Sequence, residues 1–478
     1  MSLFFTIFGE APQGGGSTLE VVSRQSVYRL PRQAAQSSLH EHQDRWRLLL
    51  TFCKKNRKRP TKLLASMHGS LYSVGSLSNT AIHLMTESAS SAPPDLRSTY
   101  AKLDELTYRF RSVAALLGIA DRVVRAYEEA SGVSIKRANE TNPASPPARV
   151  FDPFSLFEIA QWRRTSGAVK TPESGPIVIS TYVVKGGTAK TTTAVETAVH
   201  LQAQGLRVLL IDIDVQANAT QILGYEPDLT EDEAPDYGVS NEAIVRDTLA
   251  SYLVPYIEAL NKNSGTLNLS STVTRAIKKP FGEAGPHLLP GDAFVSDVEP
   301  ALFQAKGQRE LMIRRLIDAS KSGGLPGFDA RNYDVIIFDC PPSVSLTSAA
   351  ALAASDFVIA PVRLDSFSVK GLAKLMSELS VLERNYQLKP EIIILPTFYE
   401  PTIARINRMH KQLSMYRDLL APCVISSSED FPRSLSSYLP LSIQKPTSSA
   451  SKEYSIFAGY LCEKILSKGA EKARKVNE

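Results

Sequence analysis

From Pro176 onward the chain is punctuated by short, nearly unbroken runs of Val, Ile and Leu: "PIVISTYVV", "RVLLIDID", "YDVIIFD", "FVIAPV", "EIIILPTFY" and "PCVISS". A strand with one wet face alternates apolar and polar residues, whereas a run that stays apolar marks a strand buried on both faces. Segments with helical spacing separate most of these runs. Strands alternating with helices call for right-handed crossovers and an open, mostly parallel sheet covered on both sides. The expected class is therefore α/β, doubly wound. It also fixes where a ligand goes, because such sheets bind ligands beyond the carboxyl ends of their strands.

The segment "VVKGGTAKTTT" (183–193) lies at that edge, after the first run and at the start of the first helical segment. The usual phosphate loop reads G-x-x-x-x-G-K-[ST]. Aligned on Lys190, this chain has Val183 and Ala189 at the two glycine positions and adds Lys185. Gly186 and Gly187 let the backbone bring its N–H groups to a phosphate, since no Cβ intrudes. The helix start offers further unpaired N–H groups from Thr188 to Thr192 and a partial positive charge. Lys190 is placed to bridge terminal phosphates and the Thr191 hydroxyl to take a position on Mg²⁺. Two later runs end in carboxylates, Asp212 and Asp214 in "LLIDIDVQANAT" and Asp339 in "YDVIIFDCPP". A parallel sheet brings all of these to one edge, where Asp339 steadies the metal through water.

The ordered set "KGGTAKTTTA", "LLIDIDVQANAT", "YDVIIFDCPPS" resembles the ParA/MinD family of deviant Walker A ATPases, a branch of the P-loop NTPases. "HLLPGD" (287–292), "APVRLDSFSVKGL" (360–372) and "ILPTFYEP" (394–401) extend the resemblance over roughly residues 175–468. In that family the loop reads K-G-G-x-x-K-[ST], so the missing outer glycines are part of the pattern. The resemblance implies ATP and Mg²⁺ as cofactors and a nucleotide-sandwiched homodimer. It assigns Lys185 to the partner's phosphates and Asp214 to the attacking water, beside Lys190. Val215 departs from the family's usual Pro, and the segment 226–286 is long and polar.

Charge is uneven along the 478 residues. The net value is +5, yet residues 1–175 carry 23 Lys and Arg against 15 Asp and Glu. A basic first third suits a polyanionic partner. Within it, "YRFRSVAALLGIADRVVRAYEEASG" (108–132) reads as helix, tight turn at Gly118-Ile119, helix, with Val113, Leu116, Leu117, Ile119 and Val123 packing the pair. This is the pattern of a helix-turn-helix, with Arg122 and Arg125 exposed on the second helix and Lys136 and Arg137 beyond it. The following "RVFDPFSLFEIAQWRR" (149–164) resembles MerR-like domains. Larger plasmid ParA proteins place such an α-helical winged-helix/helix-turn-helix domain before the ATPase, to bind operator DNA.

The expected organisation is an N-terminal extension (1–100), partly helical and a candidate for dimerisation; a helix-turn-helix domain (101–165); a linker (166–175); and the ATPase domain (176–478). Residues 1–40 read as loosely ordered, and "KKNRKRPTK" (54–62) as a charge run that contacts phosphates or only solvent. The four cysteines form no C-x-x-C pair, which suits a reducing, cytoplasmic compartment and no zinc or disulfide framework. "LFFTIF" is too short for a signal segment, and no apolar run reaches the length of a membrane span.

The resemblance implies a DNA-segregation ATPase whose ATP dimer binds nucleoid DNA non-specifically. A ParB-type partner stimulates hydrolysis, and the helix-turn-helix represses the operon. Candidate non-specific contacts are Lys370, Lys374, Arg405, Arg408 and Lys411. Two other readings use the same parts. One is a repressor that only senses nucleotide. The other is a MinD-like membrane cycler, which needs Tyr454, Phe457, Leu461 and Ile465 as a membrane face rather than a core stripe.

Overall fold

The computed structural model describes residue 103, residues 106–264, 266–363, 366–400 and 413–477, and the backbone of two strands, Thr18–Ser23 (β1) and Ser26–Pro31 (β2). The chain divides into two compact units, Met1–Ser91 and Ala92–Glu478. In the first, β1 and β2 pair antiparallel with Thr18 opposite Pro31 and Ser23 opposite Ser26. These two strands are the part of residues 1–40, read from sequence as loosely ordered, whose backbone is described. The charge run 54–62 lies outside the described residues.

In the second unit six strands form one sheet in the order β5-β4-β6-β3-β7-β8, every pair parallel. They are Ile177–Thr181 (β3), Val208–Asp212 (β4), His287–Leu289 (β5), Val335–Asp339 (β6), Phe357–Arg363 (β7) and Glu391–Thr397 (β8). Alternate residues of each strand enter two separate cores. Ile177, Ile179, Val208, Leu210, Val335 and Ile337 face one; Val178, Leu209, Ile211, Ile336 and Phe338 face the other. Two buried faces explain the unbroken apolar runs. β5 has three residues, too few to read as a run. "PCVISS" makes a single bridge through Ser426 rather than a strand, with another at Leu420 just before it, and Pro422 within it has no N–H to donate.

The longer helices before the sheet are Phe110–Leu117 (α1), Asp121–Ser131 (α2) and Pro153–Thr165 (α3), with one short turn of helix at Ala138–Thr141. Gly118 closes α1 and Gly132 closes α2, both in the left-handed conformation (φ 64° and 70°) that glycine adopts without strain. Val113, Leu116, Leu117, Val124 and Tyr127 are buried between the helices, whereas Val123 is half-buried. Antiparallel bridges Tyr108–Phe151 and Arg137–Arg149 close the segment between α2 and α3. Asp152 caps α3 in a reciprocal pair with Ser155, and Pro153 takes the first helical position.

These helices share a core with the sheet. Leu116, Leu156, Phe157 and Ile159 belong to the same buried cluster as Ala194, Val199 and Leu201 of the helix Lys190–Ala203 (α4). The Tyr108 hydroxyl donates to the Ile443 carbonyl at 2.6 Å. The Arg164 guanidinium forks onto Asp334, whose carboxylate also accepts from the Arg207 N–H at 2.7 Å. The segment 166–175 packs along the C-terminal helix Ser449–Asn477: Ser174 donates to the Gly469 carbonyl at 3.0 Å. On that helix Tyr454, Phe457, Leu461 and Ile465 are fully buried in the same core. The apolar stripe covers the sheet.

Candidate nucleotide site

β3 ends at Thr181, and the chain turns through 182–189 into α4. Gly186 and Gly187 are exposed, and Gly187 is left-handed at φ 70°. Ala189 is left-handed too (φ 69°, ψ 33°) and stands immediately before the first residue of α4. The backbone at the second missing glycine thus keeps a glycine-like conformation, at a cost borne by an alanine Cβ. The turn is tied to the rest of the edge. Thr397, at the end of β8, donates to the Thr188 carbonyl at 3.1 Å. A Cβ on Gly371 would lie 3.1 Å from the Val184 carbonyl, so that position admits little more than hydrogen.

Lys190 opens α4 and is buried, its ammonium donating to the Lys185 carbonyl at 2.8 Å. Burial pulls its pKa down, while the nearby carboxylates of Asp339 and Asp214 pull it back up. Thr191 and Thr192 are half-buried, and so is Lys185. Val183 and Thr188 are buried, and the Thr188 hydroxyl has no hydrogen-bond partner.

The carboxylates arrive from the neighbouring strands. In-register pairing sets Asp212 of β4 and Thr181 of β3 each opposite Asp339 of β6, one step from the loop. Asp339 is fully buried, and neither of its oxygens has a hydrogen bond of full geometry. Burial drives its pKa well above the usual carboxylate range, and the charges of Asp212 and Asp214 add to this. Thr191 and Lys190 oppose it. Asp212 is satisfied from inside the protein: it accepts from the Thr220 hydroxyl (2.8 Å) and from the Thr220 and Asp214 N–H groups (3.0 and 3.2 Å). Burial nevertheless raises it to about 6. Asp214 is buried and accepts only from the Gln216 N–H, at 3.0 Å. The division of labour is plain. Asp212 is a scaffold, and Asp214 and Asp339 keep lone pairs for something else.

A buried carboxylate without donors, beside a lysine and a hydroxyl at a helix N-terminus, is costly by itself and is relieved by a hard cation. Thr191 and Asp339 fit Mg²⁺. The N–H groups of the loop, with Lys190, fit the phosphates that accompany it.

Two supporting residues escaped the sequence reading. Thr220, in "VQANAT", locks Asp212 and also accepts from the Gly291 N–H at 2.8 Å. Gly291, in "HLLPGD", packs so closely that a Cβ would lie 3.0 Å from the Asp212 side chain. The spacing of that motif was visible, but not its target. Cys340 is buried, and burial pushes its thiol well up, so it stays protonated. Among the described residues no group of three or more His, Cys, Asp or Glu could hold a metal ion by itself.

The basic candidates fall in three places. Arg122, Arg125 and Lys136 are exposed, with Arg125 on Asp121 at 2.7 Å. Arg137 turns inward to Glu128 at 3.0 Å, and Arg149 binds both Glu128 and Asp121. Lys370 and Lys374 are exposed on the helix Ser366–Tyr386, whereas Arg405, Arg408 and Lys411 lie outside the described residues. No helix among the described residues is long and apolar enough to cross a membrane.

A family model described as an AAA domain matches residues 177–394. The sporulation initiation inhibitor protein Soj of Bacillus subtilis is 29% identical over 272 residues, which is 56% of this chain and 92% of that protein. The chromosome partitioning protein ParA of Caulobacter vibrioides is 28% identical over 231 residues, 48% of this chain and 71% of that protein. The cell division protein PomZ of Myxococcus xanthus is 26% identical over 288 residues, 60% and 78% respectively. Among solved structures, a cobyrinic acid a,c-diamide synthase from Mycobacterium smegmatis with bound ADP and magnesium is 25% identical. It covers 60% of this chain and 94% of that one, with a TM-score of 0.42.

Proposed function

We propose that the sheet and loop at 177–394 form a P-loop ATPase domain of the ParA type, to which the matching family model and relatives point, and that the whole chain is a DNA-partition ATPase that also represses its own operon. The observation that carries this reading is the buried Asp339 carboxylate beside Lys190 and Thr191, which has no hydrogen bond of full geometry, with Asp214 bonded only to the Gln216 N–H on the same edge. That is a site built for a metal-bound triphosphate. Its relatives Soj, ParA and PomZ supply the biological class.

The loop N–H groups at 186–191 and the Lys190 ammonium hold the phosphates of ATP. Thr191 and Asp339 would hold Mg²⁺, which when bound would supply positive charge against the developing phosphate charge. Asp214 orients the attacking water by accepting one of its protons in a hydrogen bond. Lys185 reaches the phosphates of a second copy, so dimerisation depends on a bound triphosphate. The ATP dimer then binds DNA through cations such as Lys370, Lys374, Arg405 and Arg408, with an affinity that falls steeply with salt. A ParB-type partner stimulates hydrolysis and releases the dimer. Operator DNA is read by α2, through Arg122 and Arg125 with Lys136; Arg137 is available only by leaving Glu128.

The test is binding of the full chain to random-sequence DNA with ATP–Mg²⁺ and with ADP, beside Lys190→Ala. Binding confined to ATP and absent in the variant is the expected result. If ATP adds no random-DNA binding while one specific site is still held, the chain is a nucleotide-sensing repressor and the partition reading fails.

A further inference from the structure

The long segment between β4 and β5, which the nucleotide site does not use, builds a cavity of about 300 Å³. One wall is Arg246 and Asp247, just before the helix Leu249–Lys262. The other is the turn Ser271–Arg275 with Lys278. Lys278 is anchored on edge strand β5 by backbone bonds to Leu288 (2.7 and 2.9 Å), so the wall is fixed to the sheet.

Three cations thus face one cavity against a single carboxylate. Arg275 is exposed and has no ion-pair partner among the described residues, and no donor among them reaches the Asp247 carboxylate. Arg246 is held by Glu231. The Lys278 ammonium sits between the carbonyls of Glu242 (3.3 Å) and Ile244 (3.4 Å), over the Tyr225 ring. Burial lowers the Lys278 pKa and the neighbouring Arg246 charge lowers it further, while Asp247 and Glu242 pull it back up. Like charges gathered on one concave, partly desolvated surface repel one another until an anion joins them. Two planar guanidinium groups suit the several acceptor oxygens of a phosphoryl group, and the hydroxyl of Ser271 adds a donor.

We propose that this cavity is a second ligand site, taking a phosphorylated sugar: the phosphoryl group on Arg246, Arg275 and Lys278, a sugar hydroxyl donating to Asp247. A concave site of this volume suits a small molecule better than a polymer backbone. The inference does not depend on the nucleotide site, since none of its lining residues belongs to the loop or to the carboxylates described above.

Calorimetric titration of the full chain, presaturated with ADP–Mg²⁺, with ribose 5-phosphate tests it, with inorganic phosphate in parallel. Saturable binding of ribose 5-phosphate is expected, weakened about tenfold or more by Arg275→Ala, as for loss of a charge-assisted pair. Arg275 is exposed, so that variant keeps its fold. Asp247→Ala separates the two ends of the ligand: it strengthens inorganic phosphate binding by removing a negative charge, but not ribose 5-phosphate binding, which loses its hydroxyl acceptor. The binding persists in Lys190→Ala. Three results overturn the proposal: no saturable binding, binding indifferent to both Arg275→Ala and Arg246→Ala, or binding abolished by Lys190→Ala. Arg275-dependent capture of a short random-sequence duplex without ribose 5-phosphate binding also overturns it, and makes the cavity a contact for nucleic-acid backbone.

Discussion

Replacing Ala189 by glycine will leave the nucleotide-free protein as stable or slightly more stable, although glycine weakens nearly every other alanine position in the helix that follows. The left-handed conformation at φ 69°, ψ 33° costs an L-residue about 1–2 kcal/mol and costs glycine nothing. Against that, the unfolded chain gains freedom worth about 0.4–1 kcal/mol. A half-buried methyl forfeits roughly another 0.4 kcal/mol. The difference is a gain of about 0.5 kcal/mol. Ala194, five positions on, is helical and fully buried. There the same change loses about 0.5–1 kcal/mol in backbone terms and the methyl's burial besides, so about 1.5 kcal/mol in all. Urea unfolding followed by circular dichroism, without nucleotide, compares the two variants on one scale. The opposite signs are the signature. Should Ala189→Gly destabilise as much as Ala194→Gly, the backbone at 189 is not left-handed in solution and the account of this loop is wrong.

Asp339→Asn removes a buried carboxylate that lacks donors, so the nucleotide-free variant should be about 1 kcal/mol more stable in thermal unfolding. Added Mg²⁺ should no longer increase the stabilisation given by ATP; a preserved Mg²⁺ effect would count against Asp339 as its support. Glu196 and His200 both hydrogen-bond Ser442 inside the core, with opposite pH behaviour. Burial raises Glu196 from 4.5 to about 7, so its contribution is full below 4.5 and is lost as pH rises to about 7. Burial lowers His200 from 6.5 to about 3, so its contribution is full above 6.5 and is lost on acidification. Glu196→Gln should therefore remove up to about 3 kcal/mol of alkaline loss and leave only the acid-side loss, read as unfolding midpoints from about pH 3 to about pH 8, which covers both titrations. Arg164→Ala strands Asp334 and should cost about 2–3 kcal/mol. Limited proteolysis should then cut faster between 166 and 175, and an unchanged cleavage rate would show that the pair does not hold this segment.

Much of the architecture was legible because it is written locally. Continuous apolar runs report burial on two faces, and the two cores that take alternate residues of β3, β4 and β6 are the reason. The loop and its carboxylates were legible for the same cause: a parallel sheet forces strand ends to one edge, so order in sequence becomes proximity in space. β5 was missed because three residues carry no period, and "PCVISS" was overread because apolar content says nothing about donors. The glycine at 118 could be read as punctuation, since it acts on its own backbone.

The sequence by itself determined the sheet, the phosphate loop and which residue types meet there, because these depend on periodicity and on chain direction. Only the tertiary structure decided what each group has left to offer. It satisfies Asp212 through Thr220 and leaves Asp339 without a donor, a difference invisible in two aspartates that both end apolar strands. It also buries Leu116, Phe157 and Tyr454 in one core with α4, so that the helices before the sheet and the stripe after it cover the helix that begins at Lys190. Hydrogen-bond satisfaction depends on which side chain folds back onto a carboxylate, and the shared burial joins segments hundreds of residues apart, so neither is encoded in a local pattern.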